Sequence, residues 1–291
     1  MDLAYYPGCT LHASSKLYDI QTKIVMEELG IYLRELEDWN CCGATSVSKT
    51  DDFLSIALPA RNLGIADCME TTELVIPCSA CYNRMLVAQE RLAADPELME
   101  EINVELGKKV TGKTRIVSIL KVLTGTLESG VLSKKIVKKI EGLTPVCYYG
   151  CLQTRFPYDV HVEDDIENPQ AMERIMAALG ANPIDWSFKT ACCGASACIN
   201  DTELSLDLMA NIMMDALARD ANCFVTSCPM CQLNLDAYQN QFCKAHGIEN
   251  EMPVFFITEV VGLALGKSPE DLQVERHFID TMGLLQELMI I

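Results

Sequence analysis

The sequence predicts an α/β fold of two pseudo-symmetric halves, each a small, mostly parallel sheet with flanking helices. Three observations carry this. First, the chain repeats itself: YYPGCTLH (5–12), NCCGA (40–44) and PCSAC (77–81) recur in the same order as YYGCLQT (148–154), ACCGAS (191–196) and SCPMC (227–231). Second, the spacings agree, with 36 residues from Cys42 to Cys78 and 35 from Cys193 to Cys228. Third, short apolar runs alternate with helical patterns between the cysteine elements, as in parallel strands joined by crossover helices. An ordered recurrence of this kind is the signature of duplication.

Each half opens on a strand, Leu3 to Tyr6 and Val146 to Tyr149. An amphipathic helix follows, near Ser15–Leu29 and Pro169–Leu179, closed by Gly30 and Gly180. A second strand, Ile31 to Leu36 or Pro183 to Phe188, runs into Cys–Cys–Gly. Helices near Asp51–Glu70 and Asp201–Arg219 come next. A short apolar strand, Leu74–Ile76 or Phe224–Thr226, then leads into Cys-x-x-Cys, which opens a further helix. The matched segments IVSILKVLTG (116–125) and FFITEVVGLALG (255–266) read as apolar helices ending in Gly. SKKIVKKIEGL (133–143) reads as a short basic amphipathic helix ending at Gly142, before Pro145 starts a new strand. The expected units are therefore 1–143 and 144–291. In a parallel sheet, sites form beyond the C-terminal strand ends, so the cysteines of each half are expected at one sheet edge.

Composition narrows the function. The 291 residues suffice for two modest cores. With 41 acidic against 23 basic residues, the net charge of −18 excludes nucleic acid or an anionic membrane as a partner of the whole surface. The start, MDLAYYPGCT, has no signal-peptide pattern, and no apolar run is long enough to span a bilayer. A cytoplasmic protein without membrane insertion is expected. No Gly-rich dinucleotide loop follows a strand, so flavin or nicotinamide chemistry is expected from partner subunits. Fifteen cysteines, an odd number in a reducing compartment, fit metal ligation better than disulfides. Soft thiolates favour iron–sulfur or zinc.

The pattern of cysteines favours a cluster. Cys-x-x-Cys at a strand–helix junction puts two sulfurs on one centre, and the helix N-terminus favours their thiolate form. Adjacent cysteines in an extended chain point to opposite faces, which suits a multi-iron body better than one small ion. Gly43 and Gly194, just after each Cys–Cys, allow a positive φ and close backbone approach. Five such cysteines recur per half, whereas zinc and an ordinary 4Fe–4S cluster take four. Either one is a spare or the cluster is unusual. Five cysteines fall outside the repeat: Cys68, Cys147, Cys198, Cys223 and Cys243, most simply buried thiols. Cys147 competes with Cys151 as a ligand, but Tyr–Tyr–Gly–Cys aligns Cys151 with Cys9.

The duplicated Cys-x31-Cys-Cys-x35-Cys-x-x-Cys pattern resembles the CCG-domain, cysteine-rich iron–sulfur family, and within it the B-type subunit of the methanogen heterodisulfide reductase. The resemblance covers nearly the whole chain. It implies one non-cubane 4Fe–4S cluster on Cys9, Cys41, Cys42, Cys78 and Cys81, and another on Cys151, Cys192, Cys193, Cys228 and Cys231. It further implies reduction of the coenzyme M–coenzyme B disulfide in methanogenesis. Subunits C and A of a flavin-based electron-bifurcating complex would be the partners, with a hydrogenase or formate dehydrogenase upstream. Related chains are electron-transfer subunits of hydroxyacid and glycerol-phosphate oxidoreductases. Disulfide cleavage takes two electrons, so a pocket between the halves, on their pseudo-twofold axis, is expected. Lys16, Arg84 and Arg155 are candidate anchors for an anionic substrate, and His12 and His161 candidate proton donors; a surface or core role is the alternative for each.

Overall fold

In a computed structural model of the protein, residues 1–107, 109–156 and 164–291 are described, with Thr45 described by its backbone alone. The first apolar segments become strands β1 (Asp2–Tyr5), β2 (Tyr32–Glu35), β3 (Glu73–Ile76) and β4 (Arg115–Ser118), a sheet in the order β2-β1-β3-β4. The second half supplies β5 (Pro145–Tyr148), β6 (Cys223–Thr226) and β7 (Val254–Phe256), in the order β5-β6-β7. Every pairing is parallel. The strand C-terminal ends therefore share one edge in each sheet, and every cysteine element but Cys192–Cys193 follows such an end.

The helices lie where the pattern puts them. Lys16–Glu28 and Ala171–Leu179 follow the first strands, and Asp52–Asp67 and Thr202–Leu217 follow each Cys–Cys–Gly. Asp51 and Asp201 cap the latter pair, accepting the Leu54 N–H (2.9 Å) and the Leu204 N–H (3.1 Å). Such caps are worth about 1 kcal/mol each.

Three expectations are corrected. Residues 183–188 are not a strand: Ile184 meets Val146 at a single bridge, in the place β2 takes beside β1. Pro183 brings no N–H to a ladder, and Trp186 turns inward to donate its indole N–H to the Cys147 carbonyl (3.0 Å). The segments 116–125 and 255–266 each begin as a strand, β4 and β7, before helices Ile119–Glu128 and Ile257–Ala264. Their β-branched and aromatic openings fill the sheet. The basic segment 133–143 holds only the end of helix Val131–Lys135. Beyond it Val137 and Lys138 donate to the Ala264 carbonyl (2.9 and 3.1 Å), and Ile140 donates to the Leu179 carbonyl (2.9 Å). Buried Ile140 is thus pinned between two helix ends.

The halves share a core. One apolar cluster joins Leu3, Tyr5 and Val25 to Met172, Phe255 and Val260. Helix Lys16–Glu28 of the first half lies on helix Ile257–Ala264 of the second: Tyr18 stacks on Phe256 (4.1 Å, 6°), and the Gln21 amide donates to Glu259 Oε1 (2.9 Å) and the Leu272 carbonyl (2.6 Å). We infer a duplication boundary at 143/144 from the order of elements, although the packing crosses it.

Candidate metal centre

Each sheet edge gathers its five cysteines. In the first half Cys9 Sγ meets Cys41 Sγ at 3.6 Å and Cys42 Sγ meets Cys81 Sγ at 3.3 Å. In the second, Cys193 Sγ lies 3.7 Å from Cys231 Sγ, and Cys151 pairs with Cys192. Cys78 pairs with Cys81, and Cys228 with Cys231. The two sets are joined because the Cys78 and Cys228 thiols pair across the boundary between halves. Contacts within the first set match those within the second, as the duplication requires.

The backbone favours anionic sulfur here. Cys78 and Cys228 are N-caps of helices Ser79–Ala94 and Pro229–Ala237, where helix dipoles stabilise thiolate. The Gly194 N–H donates to Cys192 Sγ at 3.4 Å. Hydrogen-bonded neighbours hold three thiols low: Cys42 beside Cys41 and Cys81, Cys192 beside Cys151, down to about 6, and Cys228 beside Cys231 and Cys78. The thiols of Cys9, Cys78, Cys81, Cys151 and Cys231 are pushed up by hydrogen bonding to neighbouring sulfurs and by burial. The donor set is therefore all soft sulfur, with a backbone N–H facing one of the thiols. It fits a thiolate-ligated iron–sulfur cluster in each half.

Gly43 and Gly194 do take positive φ, 78° and 76°. Gly8 and Gly150 matter more closely. A Cβ on Gly8 would stand 2.9 Å from Cys81 Sγ, and one on Gly150, at φ +70°, 2.7 Å from Cys231 Sγ. Gly150→Ala is expected to lose about 1–2 kcal/mol from the backbone alone and to displace Cys231, lowering bound metal. Thermal unfolding and metal analysis check this; unchanged values for both would refute it.

A cavity of about 40 Å³ opens on the second set, walled by its five cysteines with Leu152, Met230 and, from the first half, Ser79. Residues of both halves thus wall the space, Ser79 being the one the first half contributes. The buried Ser79 hydroxyl has no hydrogen-bond partner among the described residues. Its counterpart in SCPMC is Pro229, which brings no donor.

The remaining candidates separate. Arg155 is exposed, but its charge helps hold the Cys192 thiol low after the larger effect of the Cys151 hydrogen bond. Its carbonyl accepts from the Asn83 amide at 2.8 Å, a further tie between halves. Arg84 donates to Asn83 Oδ1 (3.2 Å), and Lys16 is exposed. His12 pairs with Glu35 (3.1 Å) and packs edge-on against Trp39. His161 lies outside the described residues. Cys147, Cys223 and Cys243 are buried in the apolar cores, the Cys198 thiol donates to the Ala195 carbonyl (3.2 Å), and Cys68 is exposed at a helix end. Cys151, rather than Cys147, therefore stands with the sulfurs.

Sequence reasoning missed Tyr18 and Ser79. The Tyr18 hydroxyl donates to the Ser227 carbonyl (2.9 Å), beside Cys78 and Cys228. Ser79 lies inside PCSAC, but only the fold aims it at the other half.

The family follows from this arrangement. The cysteine-rich CCG domain model matches residues 3–85 and 146–236, so the chain belongs to the cysteine-rich CCG family. It is similar to the "8-methylmenaquinol:fumarate reductase membrane anchor subunit" of Wolinella succinogenes, 31% identical over 97% of this chain and 99% of that one. It is also similar to the B-type subunit of the ferredoxin:CoB-CoM heterodisulfide reductase of Methanosarcina mazei, 27% identical over 98% of this chain and 96% of that one. A solved hypothetical protein of Helicobacter pylori shares the fold, with a TM-score of 0.80 at 14% identity; the match covers 97% of this chain and 52% of that one, about half its length. The chain is thus like the B-type subunit of heterodisulfide reductase, an iron–sulfur oxidoreductase family. Among the described residues no helix is long and apolar enough to cross a membrane.

Proposed function

We propose that Cys9, Cys41, Cys42, Cys78 and Cys81 hold one non-cubane 4Fe–4S cluster, that Cys151, Cys192, Cys193, Cys228 and Cys231 hold another, and that the chain reduces the coenzyme M–coenzyme B heterodisulfide. Subunits C and A of a bifurcating heterodisulfide reductase, fed by a hydrogenase or formate dehydrogenase, are the partners in this reading. The observation that supports it is the gathering of five cysteines at each of the two sheet edges, with Cys78 and Cys228 neighbours across the boundary between the halves. Disulfide cleavage needs two electrons, and the bound clusters supply one each. The chain's own residues do the rest. Leu152 and Met230 keep the cavity apolar, the unpartnered Ser79 hydroxyl offers a proton or hydrogen bond to a bound sulfur, and Arg155 favours negative charge near Cys192.

A second reading is an electron-transfer subunit of an oxidoreductase acting on a quinol, a hydroxyacid or glycerol phosphate. It is favoured by the 31% identity to a fumarate reductase subunit. The test is anaerobic purification, iron and sulfide analysis, and EPR after oxidation with and without coenzyme M. About eight irons per chain and a signal that needs the thiol are the expected result. The same iron with no response to thiol leaves the second reading, and zinc without iron overturns both.

A further inference from the structure

A second cavity, of about 80 Å³, lies between the halves next to the thiol cavity. Tyr149 is a wall of both. The short helix Cys151–Thr154 serves both spaces, with Cys151 among the thiols and Gln153 and Thr154 on the second cavity. The Thr154 side chain, 5% exposed, has a hydroxyl without a hydrogen-bond partner among the described residues. The Gln153 amide likewise makes no hydrogen bond among the described residues. A buried hydroxyl left unpaired costs stability, which a ligand acceptor would recover.

The lining selects the ligand's chemistry. Tyr82 from the first half and Tyr149 from the second offer aromatic faces. The cations at the cavity are engaged, Arg174 with Glu128 (3.3 Å) and Lys121 with a partner of its own. Asp164 accepts the Gln170 and Ala171 N–H groups (3.0 and 2.8 Å), and Asp165 adds a further negative charge. Three carboxylates, Glu128, Asp164 and Asp165, outnumber these two cations, which disfavours a sulfonate or phosphate. Uncharged donors, aromatic walls and acidic surroundings suit a neutral ring bearing carbonyl acceptors. We propose that this cavity binds the ring of a quinone-type two-electron carrier, one side chain from the C-terminal cysteine set. The proposal rests on the cysteine sets being redox centres, which both readings above share.

The test uses the full chain, purified anaerobically with its iron measured. The probe is 2-heptyl-4-hydroxyquinoline N-oxide, followed by quenching of its fluorescence and displaced with menadione. One saturable site per chain is expected. Thr154→Val should weaken binding about tenfold, the loss of one hydrogen bond, while Thr154→Ser binds as the parent does. Without probe, Thr154→Val should melt no lower than the parent, because it removes an unpaired buried hydroxyl. Iron content should be equal in all three, which separates lost binding from lost fold. No saturable binding to an iron-replete chain, or equal binding by Thr154→Val, overturns the proposal. Hydroxyl-dependent binding to a chain that holds no iron supports the cavity and overturns the cluster reading instead.

Discussion

Cys193→Ser is expected to remove about half of the chain's iron and acid-labile sulfide and to lower turnover by at least about a hundredfold, since loss of even an outer partner of a metal ligand costs 10–100-fold. Cys193 is buried, 3.7 Å from Cys231 Sγ, and the Asn234 amide fixes its backbone by donating to its carbonyl at 2.7 Å. A serine would fit the same space, but its hard oxygen is a poor ligand for iron that prefers thiolate. Cys42→Ser should remove the other half, because Cys42 stands to Cys81 as Cys193 stands to Cys231. Cys68→Ser is the contrast, with full iron and full turnover, because Cys68 lies exposed at a helix end. Retention of all iron in both ligand variants would sink the assignment of five cysteines per set.

The ten cysteines and the duplicated order were legible because parallel topology converts equal order into equal placement. A strand followed by a cysteine can only deliver it to the C-terminal edge. What was not legible depended on contacts between halves. The segment 183–188 has the apolar content of a strand, but Trp186 found a carbonyl of β5 instead of a ladder. Residues 116–125 and 255–266 carry helical periodicity, yet their first residues pair with β3 and β6. The basic run 133–143 has helix-forming lysines, but Ile140 is drawn to the end of helix Ala171–Leu179. The place of Ser79 on the cavity wall, where the second copy has Pro229, appears only when the halves are docked.

His277→Gln is expected to destabilise the fold by roughly 3–5 kcal/mol at pH 7, the usual cost of removing one partner from buried charges. The His277 side chain is 1% exposed and meets two buried carboxylates, Glu259 Oε1 through Nε2 at 2.6 Å and Asp236 Oδ2 through Nδ1 at 3.4 Å. Glu259 also accepts the Phe256 N–H (2.6 Å) and the Gln21 amide (2.9 Å) from the first half. Asp236 accepts the Phe278 and Ile279 N–H groups (3.0 and 2.9 Å). One imidazolium therefore ties the C-terminal segment, helix Pro229–Ala237 and helix Ile257–Ala264 together. Burial alone would lower its pKa, but the Glu259 charge and the hydrogen bonds of Asp236 and Glu259 outweigh it, raising the value to about 10. A raised pKa contributes stability that is full below the ordinary value of 6.5 and is lost as pH climbs through about 10. Urea unfolding of the parent chain should therefore weaken between pH 7 and pH 10, whereas His277→Gln, already without the charge, should lose less over the same interval. Parallel losses in the two chains, or equal stability at pH 7, would mean that the imidazolium holds nothing together.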